Sequence, residues 1–494
     1  MAKKKNKPIR PKARRPRGFE DKPADVLRAE RKLIDAAFSV YDLHGFEPLE
    51  TPAFEYADAL GKFLPDDDRP NTGVFALQDD DEQWLSLRYD LTAPLARYVA
   101  ENYDGLAKPY RRYQAGSVFR NEKPGPGRFR EFVQCDADSV GAPGAAADAE
   151  MIMLAADVMR AAGLKDGQYA VRVNNRKLLD GILESSGVPN TEAGAVQRLT
   201  VLRAIDKLDR LGETGVEALL GKGREDESGA YTDGAGLDAA AIRAVLGFTT
   251  ASDPDRGTTI AALEALVGSS ERGREGCAEL AQIDNLLTAS GFGPDRVSFD
   301  TSIVRGLGYY TGPVFEAEFL ADIRDKKGRP VRIGSIGGGG RYDDLVSRFR
   351  GQAVPATGFS FGVSRFLSAL ERLDALEQSV RPPVIICAFD RALMGEYFAM
   401  AAELRSHGIR AEVFIGAGNV TKQMKYADRR NAQVAVLMGS DEMAAGEVTL
   451  KDLYEGAKAA KAIESNEEWK STRPAQETVA RDGWVKAVAA MLAD

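Results

Sequence analysis

The stretch SVFRNEKPGPGRFREFVQCDADS, Ser117 to Ser139, sets two strand-like runs either side of a Lys-Pro-Gly-Pro-Gly centre, Lys123 to Gly127. Proline and glycine there favour a tight turn, so the stretch reads as two long antiparallel strands joined by a basic loop. On extended backbone, alternate side chains share a face. Arg120, Glu122, Arg128, Phe132, Gln134 and Asp138 are all even-numbered and fall together if the strands are regular. A face with two arginines, an aromatic plate, an amide and two carboxylates is not a hydrophobic core. Buried without a ligand it would leave charges poorly paired, at several kcal/mol each. The alternative is a solvated sheet face laced with ion pairs, and Phe132 among the charges argues against it.

Outward from this hairpin, strand-like runs (VFALQD, WLSLRYD, YRRYQAGSVF) precede it, and before them ADVLRAERKLIDAAFSVYDLHGF has apolar residues at helical spacing with Gly45 as its cap. After it come an apolar-periodic helix, AEMIMLAADVMRAAG, and the strand YAVRVNN. Alanine, leucine and charge at helical spacing then dominate 189–280, interrupted by GKGREDESGAYTDGAG, which reads as a helical insertion. Sheet-like segments resume in 281–378. Beyond RPP at Arg381, strand and helix alternate as a compact α/β module over 381–465, and 466–494 is read as an extension ending in a peripheral helix. The chain thus divides into a basic tail (1–20), two parts of one domain (21–188 and 281–378), the insertion, the module and the extension. That agrees with the three or four domains that 494 residues suggest at roughly 100–200 each.

Composition excludes several function classes. The chain is 44% hydrophobic and 28% charged, and no apolar run reaches the ~18 residues of a membrane-spanning helix. Cys135, Cys277 and Cys387 are too far apart for a disulfide framework or metal-ligand spacing, which points to the cytoplasm and to no protein-held metal. The two histidines, His44 and His407, lie away from the charged motifs, so histidine general-base catalysis is unsupported. Net charge is −8, yet the first seventeen residues carry only basic charges, and such a tail is expected to stay solvated and attract RNA. Further basic candidates for an RNA surface are Arg111, Arg112, Lys422, Lys425, Arg429 and Arg430.

Two other motifs bear on chemistry. RGLGYYTGPVFE, Arg305 to Glu316, combines a planar cation, adjacent tyrosines and three glycines that permit close backbone approach. GGGGRYDDL, Gly337 to Leu345, lacks the Lys-Ser/Thr pair of a phosphate loop and sits in an antiparallel set, so a P-loop is rejected.

FRNE followed by RFREF resembles motif 2 of the class II aminoacyl-tRNA synthetases; GFSFGVSRF (Gly358 to Phe366) resembles motif 3, and Pro52 in LETPAF the motif 1 proline at the dimer interface. RYDLTAP (Arg88 to Pro94), QCDAD (Gln134 to Asp138) and RGLGYYTGPVFE narrow the resemblance to the histidyl-tRNA synthetase family, in order from about Pro23 to Ala457. The resemblance implies an α+β fold, a class II antiparallel sheet flanked by helices, with a helical insertion and a C-terminal α/β anticodon-binding domain. It implies ATP-dependent activation of L-histidine to histidyl-adenylate and transfer to the 3′ end of tRNA(His), by a homodimer using ATP with Mg2+ as substrate complex.

Carried over by position, the resemblance makes Arg305 and Arg120 the catalytic cations, at the scissile bond and the α-phosphate. Phe132 would stack on adenine with Arg365 on its other face, and Glu122 and Arg128 would hold adenine and triphosphate. Asp90, Thr92 and Gln134 would take the α-ammonium, whose donors want acceptors in several directions. Asp138, Tyr309 and Tyr310 would take the imidazole. The family more often has aspartate where this chain has Gly308. A catalytically silent regulatory paralogue shares this fold but lacks the C-terminal module and erodes the pocket motifs, both of which this chain retains.

Overall fold

The computed structural model describes residues 11–63, 73–125, 128–225, 229, 231–303, 310–324, 328–330, 333–372, 380–462 and 475–493. Two compact units emerge, 1–377 and 378–494.

In the first unit, helix α1 (Ala24–Leu43) leads into a short strand β1 (Glu47–Pro48). A small sheet follows, of β2 (Phe54–Tyr56), β3 (Ala76–Gln78) and β4 (Trp84–Leu87), then helix α2 (Thr92–Asn102). The hairpin of β5 (Tyr110–Phe119) and β6 (Glu131–Val140) comes next, then α3 (Ala145–Ala161) and β7 (Tyr169–Asn175). A helical stretch follows: α4 (Arg176–Ser185), α5 (Glu192–Ile205), α6 (Leu208–Leu220), a minor hairpin β8 (Gly223–Glu225) and β9 (Tyr231–Asp233), α7 (Ala239–Thr249), α8 (Arg256–Val267) and α9 (Glu271–Ala289). The chain returns to sheet with β10 (Val297–Phe299), β11 (Pro313–Phe319) and β12 (Gly334–Arg341). A single turn, α10 (Ser347–Arg350), β13 (Ala356–Phe361) and α11 (Val363–Arg372) complete the unit.

The main sheet has the order β1-β5-β6-β13-β12-β11-β7-β10, antiparallel except at its two edges. Its two faces differ in kind. Val133, Cys135 and Ala137 on β6, Phe315, Ala317 and Phe319 on β11, and Phe359 and Phe361 on β13 are odd-numbered and buried against helices in one core. Period-two alternation then places the even-numbered residues on the opposite face. That face is polar, and the glycine run expected not to be a phosphate loop lies within β12. Glycine is required there: a Cβ at Gly340 would come 2.9 Å from the Tyr310 ring.

The second unit is a five-stranded sheet in the order β15-β14-β16-β17-β18, formed by β14 (Val384–Ala388), β15 (Ala411–Val413), β16 (Val434–Met438), β17 (Glu447–Asp452) and β18 (Gln476–Ala480). Helices α12 (Met394–Ser406), α13 (Val420–Arg429), α14 (Ser440–Ala445), α15 (Leu453–Ala462) and α16 (Trp484–Ala493) flank it. The helix expected at the C-terminus is not peripheral, because Trp484 and Val488 are fully buried in this unit's core. It is preceded by β18, an edge strand the sequence reading did not foresee. Among the described residues no helix is long and apolar enough to cross a membrane.

Candidate active site

The hairpin register sets the site. Val118 faces Phe132, Gly116 faces Gln134 and Arg112 faces Asp138 across β5 and β6. Phe132, Gln134 and Asp138 therefore lie along one face of β6, as their even numbering requires. Arg120, Glu122 and Arg128 lie beyond the strand ends, in the connection, so their shared parity does not place them; the cavity does. A cavity of about 580 Å³ is lined by Arg120, Glu122, Arg128, Phe132, Gln134, Tyr310 and Arg365, with Gly337, Gly338 and Ser360 from the sheet.

Arg120 is held between two rings, its guanidinium carbon 5.1 Å from the Phe132 centroid and 5.2 Å from that of Tyr89. Its Nε donates to the Tyr89 carbonyl at 3.3 Å. Stacking of this kind fixes a planar cation without neutralising it. Arg365, in the first turn of α11, donates from Nη2 to the Ile333 carbonyl at 3.2 Å. With Arg128 these line one cavity with Phe132, three guanidinium-bearing side chains and an aromatic plate, which suits a polyanion carrying a flat base.

Gln134 donates from Nε2 to Ser360 Oγ at 2.6 Å, while its Oε1 has no hydrogen-bond partner. Asp90 is placed by the start of α2: its Oδ1 accepts the backbone N–H of Thr92 at 3.1 Å and of Ala93 at 2.8 Å. Burial pushes the Asp90 carboxyl above its ordinary range, opposed by the Ala93 N–H, Arg120 and the Thr92 N–H. Thr92 thus reaches the site region through its backbone, as the first residue of that helix.

Asp138 is engaged on both oxygens. Oδ2 lies 2.8 Å from Arg112 Nη2, an ion pair misaligned for a hydrogen bond, and Oδ1 accepts from the Tyr342 hydroxyl. Burial raises its pKa, and Arg112 and Tyr342 oppose the rise. Tyr310 packs over Gly340 on the same face, its hydroxyl pushed up by burial and by the charges of Asp138, Asp136, Glu316 and Asp90. Arg305, Gly308 and Tyr309 lie outside the described residues.

One reading is corrected. Arg112 is wholly buried, so it is no RNA contact; its guanidinium serves Asp138 and donates to the Leu91 carbonyl at 2.9 Å. Arg111 pairs with Glu150 and lies 4.5 Å over the Phe46 ring. In the second unit Lys422, Lys425, Arg429 and Arg430 are exposed on or just after α13, Arg430 being paired with Glu412 at 3.1 Å. The sequence reading also passed over Asp136, the even position between Gln134 and Asp138, although the same alternation points to it. Among the described residues no group of three or more His, Cys, Asp or Glu could hold a metal ion.

The family model described as "Histidyl-tRNA synthetase" matches residues 18–366, and one described as "Anticodon binding domain" matches 383–471. A histidine–tRNA ligase of Bradyrhizobium diazoefficiens is 57% identical across 100% of this chain and 99% of its own length. That of Brucella ovis is 58% identical, covering 97% of this chain and 96% of its own length, and that of Caulobacter vibrioides 56%, with 98% and 97% covered. Among solved structures, histidyl-tRNA synthetase from Nostoc sp. PCC 7120 matches with a TM-score of 0.72 at 27% identity, over 97% of this chain and 99% of that one.

Proposed function

Because the chain belongs to the histidyl-tRNA synthetase family, we infer that it activates L-histidine with ATP to histidyl-adenylate and transfers the histidyl group to the 3′ end of tRNA(His). It is a class II histidine–tRNA ligase. The observation that carries this reading in the structure is the cavity lined by Arg120, Arg128, Arg365 and Phe132 above a polar sheet face with unpartnered acceptors.

In the first step the carboxylate of histidine attacks the α-phosphorus of ATP, forming the acyl-phosphate bond as the bond to pyrophosphate breaks. The nucleophile is already ionised, so no protein base is needed, and the chain's work is positioning and charge stabilisation. Arg120, fixed by its two rings, meets the α-phosphate; Arg305 faces the oxygen that bridges carboxylate and phosphorus. Phe132 stacks on adenine, Glu122 and Arg128 hold base and bent triphosphate, and Arg365 reaches the far phosphate. Mg2+ carried by the triphosphate would offset charge on departing pyrophosphate. Asp90, Thr92 and Gln134 receive the α-ammonium; the bare Oε1 of Gln134 supports this. Asp138, Tyr309 and Tyr310 form the imidazole end of the pocket. In the second step a ribose hydroxyl at the tRNA 3′ end attacks the carbonyl carbon and AMP leaves.

The segment 189–280 is an insertion facing the acceptor stem, and the module 381–465 with its exposed cations meets the anticodon, in the cytoplasm. The functional unit is a homodimer. Exposed Pro52, Phe54 (44%), Tyr56 (55%) and Leu77 (45%) present apolar surface from and beside the small sheet, and a second copy fits it.

The deciding experiment is ATP–pyrophosphate exchange with each of the twenty amino acids, with Arg305→Ala beside the wild type. Exchange driven by histidine alone and lost in the variant is expected. Folded wild-type protein giving no exchange with histidine would overturn the reading in favour of a regulatory paralogue.

A further inference from the structure

The glycines of GGGGRYDDL let Tyr310 approach β12, which leaves the acidic end of that motif unexplained. Tyr342 and Asp343 follow the end of β12, and Tyr310 and Thr311 precede β11. These two strands pair antiparallel with Val314 opposite Gly340, so the two short segments run side by side. One residue of each serves the site. Tyr310 lines the cavity and packs over Gly340, and the Tyr342 hydroxyl donates to Asp138. Their chain neighbours bond to each other instead. The Thr311 hydroxyl donates to Asp343 Oδ2 at 3.1 Å and accepts the Asp343 backbone N–H at 3.2 Å. The second carboxylate oxygen, Oδ1, accepts the Ala356 N–H at the start of β13 at 3.1 Å and Arg341 Nη1 at 3.3 Å. Asp343 thus ties three segments of the main sheet together at one point.

We propose that Asp343 is a positioning residue for histidine binding: with Thr311 it forms a latch that sets where Tyr310 stands. The inference rests on the histidine-activating reading, in which Tyr310 meets the imidazole. Regular pairing of β11 with β12 begins only at Val314, so Tyr310 stands outside the ladder. What holds the chain beside it is the Thr311 N–H, which donates to the Arg341 carbonyl at 2.7 Å, and the Thr311–Asp343 pair. Adjacent Cα atoms are about 3.8 Å apart across a rigid peptide, so a shift at Thr311 passes to Tyr310 almost undiminished. A hydrogen bond to a carboxylate is about twice as strong as one between neutral groups, which makes the pair an effective restraint.

The test is exchange kinetics on the full chain. Thr311→Val keeps the side-chain shape and removes the hydroxyl, Thr311→Ser keeps the hydroxyl, and Asp343→Asn weakens the acceptor. Thr311→Val is expected to raise the KM for histidine about tenfold with that for ATP unchanged, and Thr311→Ser to return it to within about threefold of the wild type. Thr311→Val combined with Asp343→Asn should cost less than the product of the two single effects. A latch that acts through the Tyr310 hydroxyl has nothing left to place in Tyr310→Phe, so Thr311→Val should change the KM for histidine there by no more than about twofold. No rise in that KM in Thr311→Val, or the same rise persisting in Tyr310→Phe, would overturn the proposal and leave the pair a structural tie between strands. No exchange by the wild type with histidine would instead remove the functional reading on which the proposal stands.

Discussion

Arg112 Nη2 lies 2.8 Å from Asp138 Oδ2, and both side chains are closed to solvent. Such a pair is weak evidence for stability in itself, because desolvation offsets much of the attraction, but removing one partner strands the other charge. Arg112→Met is therefore expected to destabilise the first unit by about 3–5 kcal/mol. Adding Asp138→Asn, whose amide still accepts from Tyr342, should recover part of the loss. Thermal unfolding of the two proteins checks this; a single variant that melts with the wild type would contradict it.

Gly358 pairs with Asp138 across β13 and β6, and a Cβ there would collide with Asp138 Oδ1. Gly358→Ala is expected to displace that carboxylate and lower kcat/KM for histidine by about 10²-fold, the scale of an ångström-sized misplacement. The KM for ATP should stay near the wild-type value, and steady-state exchange kinetics separate the two.

Phe132 is the aromatic plate among the three arginines. Base–aromatic stacking contributes about 1–3 kcal/mol, so Phe132→Ala should raise the KM for ATP by about 5- to 150-fold while leaving that for histidine unchanged. Because Arg120 also rests on this ring, a drop in kcat is expected beside the binding loss; an unaltered ATP saturation curve would refute the assignment.

The groups around Asp136 are Asp138 and Asp90, Arg112 and Arg88, with Ser360 and Gln114 beside it. Its folded pKa of about 8 stands above the ordinary 3.8. Between those values the unfolded chain gives up a proton that the folded one keeps, so this residue's contribution to stability falls as pH rises from about 4 to about 8, then levels. Asp136→Asn removes that dependence. Its melting temperature should gain on the wild type progressively over this window, and parallel curves would rule the raised pKa out.

The described end of the basic tail lies beside the hairpin: the Arg130 N–H donates to the Gly18 carbonyl at 2.8 Å, and Phe19 packs on Phe75 with ring centroids 5.8 Å apart. Lys12, Arg14, Arg15 and Arg17 are exposed there. Removing the first seventeen residues should weaken tRNA affinity and flatten its salt dependence, by about one unit of log–log slope for every phosphate the tail neutralises, leaving histidine exchange intact. An unchanged slope rejects a role for the tail.

What could be read from the chain without coordinates follows from local rules. Period-two alternation put Phe132, Gln134 and Asp138 on one face because the strand geometry of a residue and its second neighbour is fixed by backbone sterics alone. The Pro-Gly centre announced the hairpin, and the ordered motifs announced the family. The tertiary structure decided which of those side chains were already spoken for. Arg112 looked like a surface cation until β5 paired with β6 and Tyr342 arrived from about two hundred residues away to share Asp138. Arg120, Glu122 and Arg128 converge although they lie off the strands. Asp136 has the same parity as its neighbours, and only the tertiary structure shows it buried with an unpartnered oxygen. Trp484 gives no sign in sequence of being a core residue, because its burial depends on β17 and β18 pairing around it. Sequence determines alternation and turns, whose energies are local; it does not determine pairing and desolvation, which depend on partners distant in the chain and are set only when the whole sheet closes.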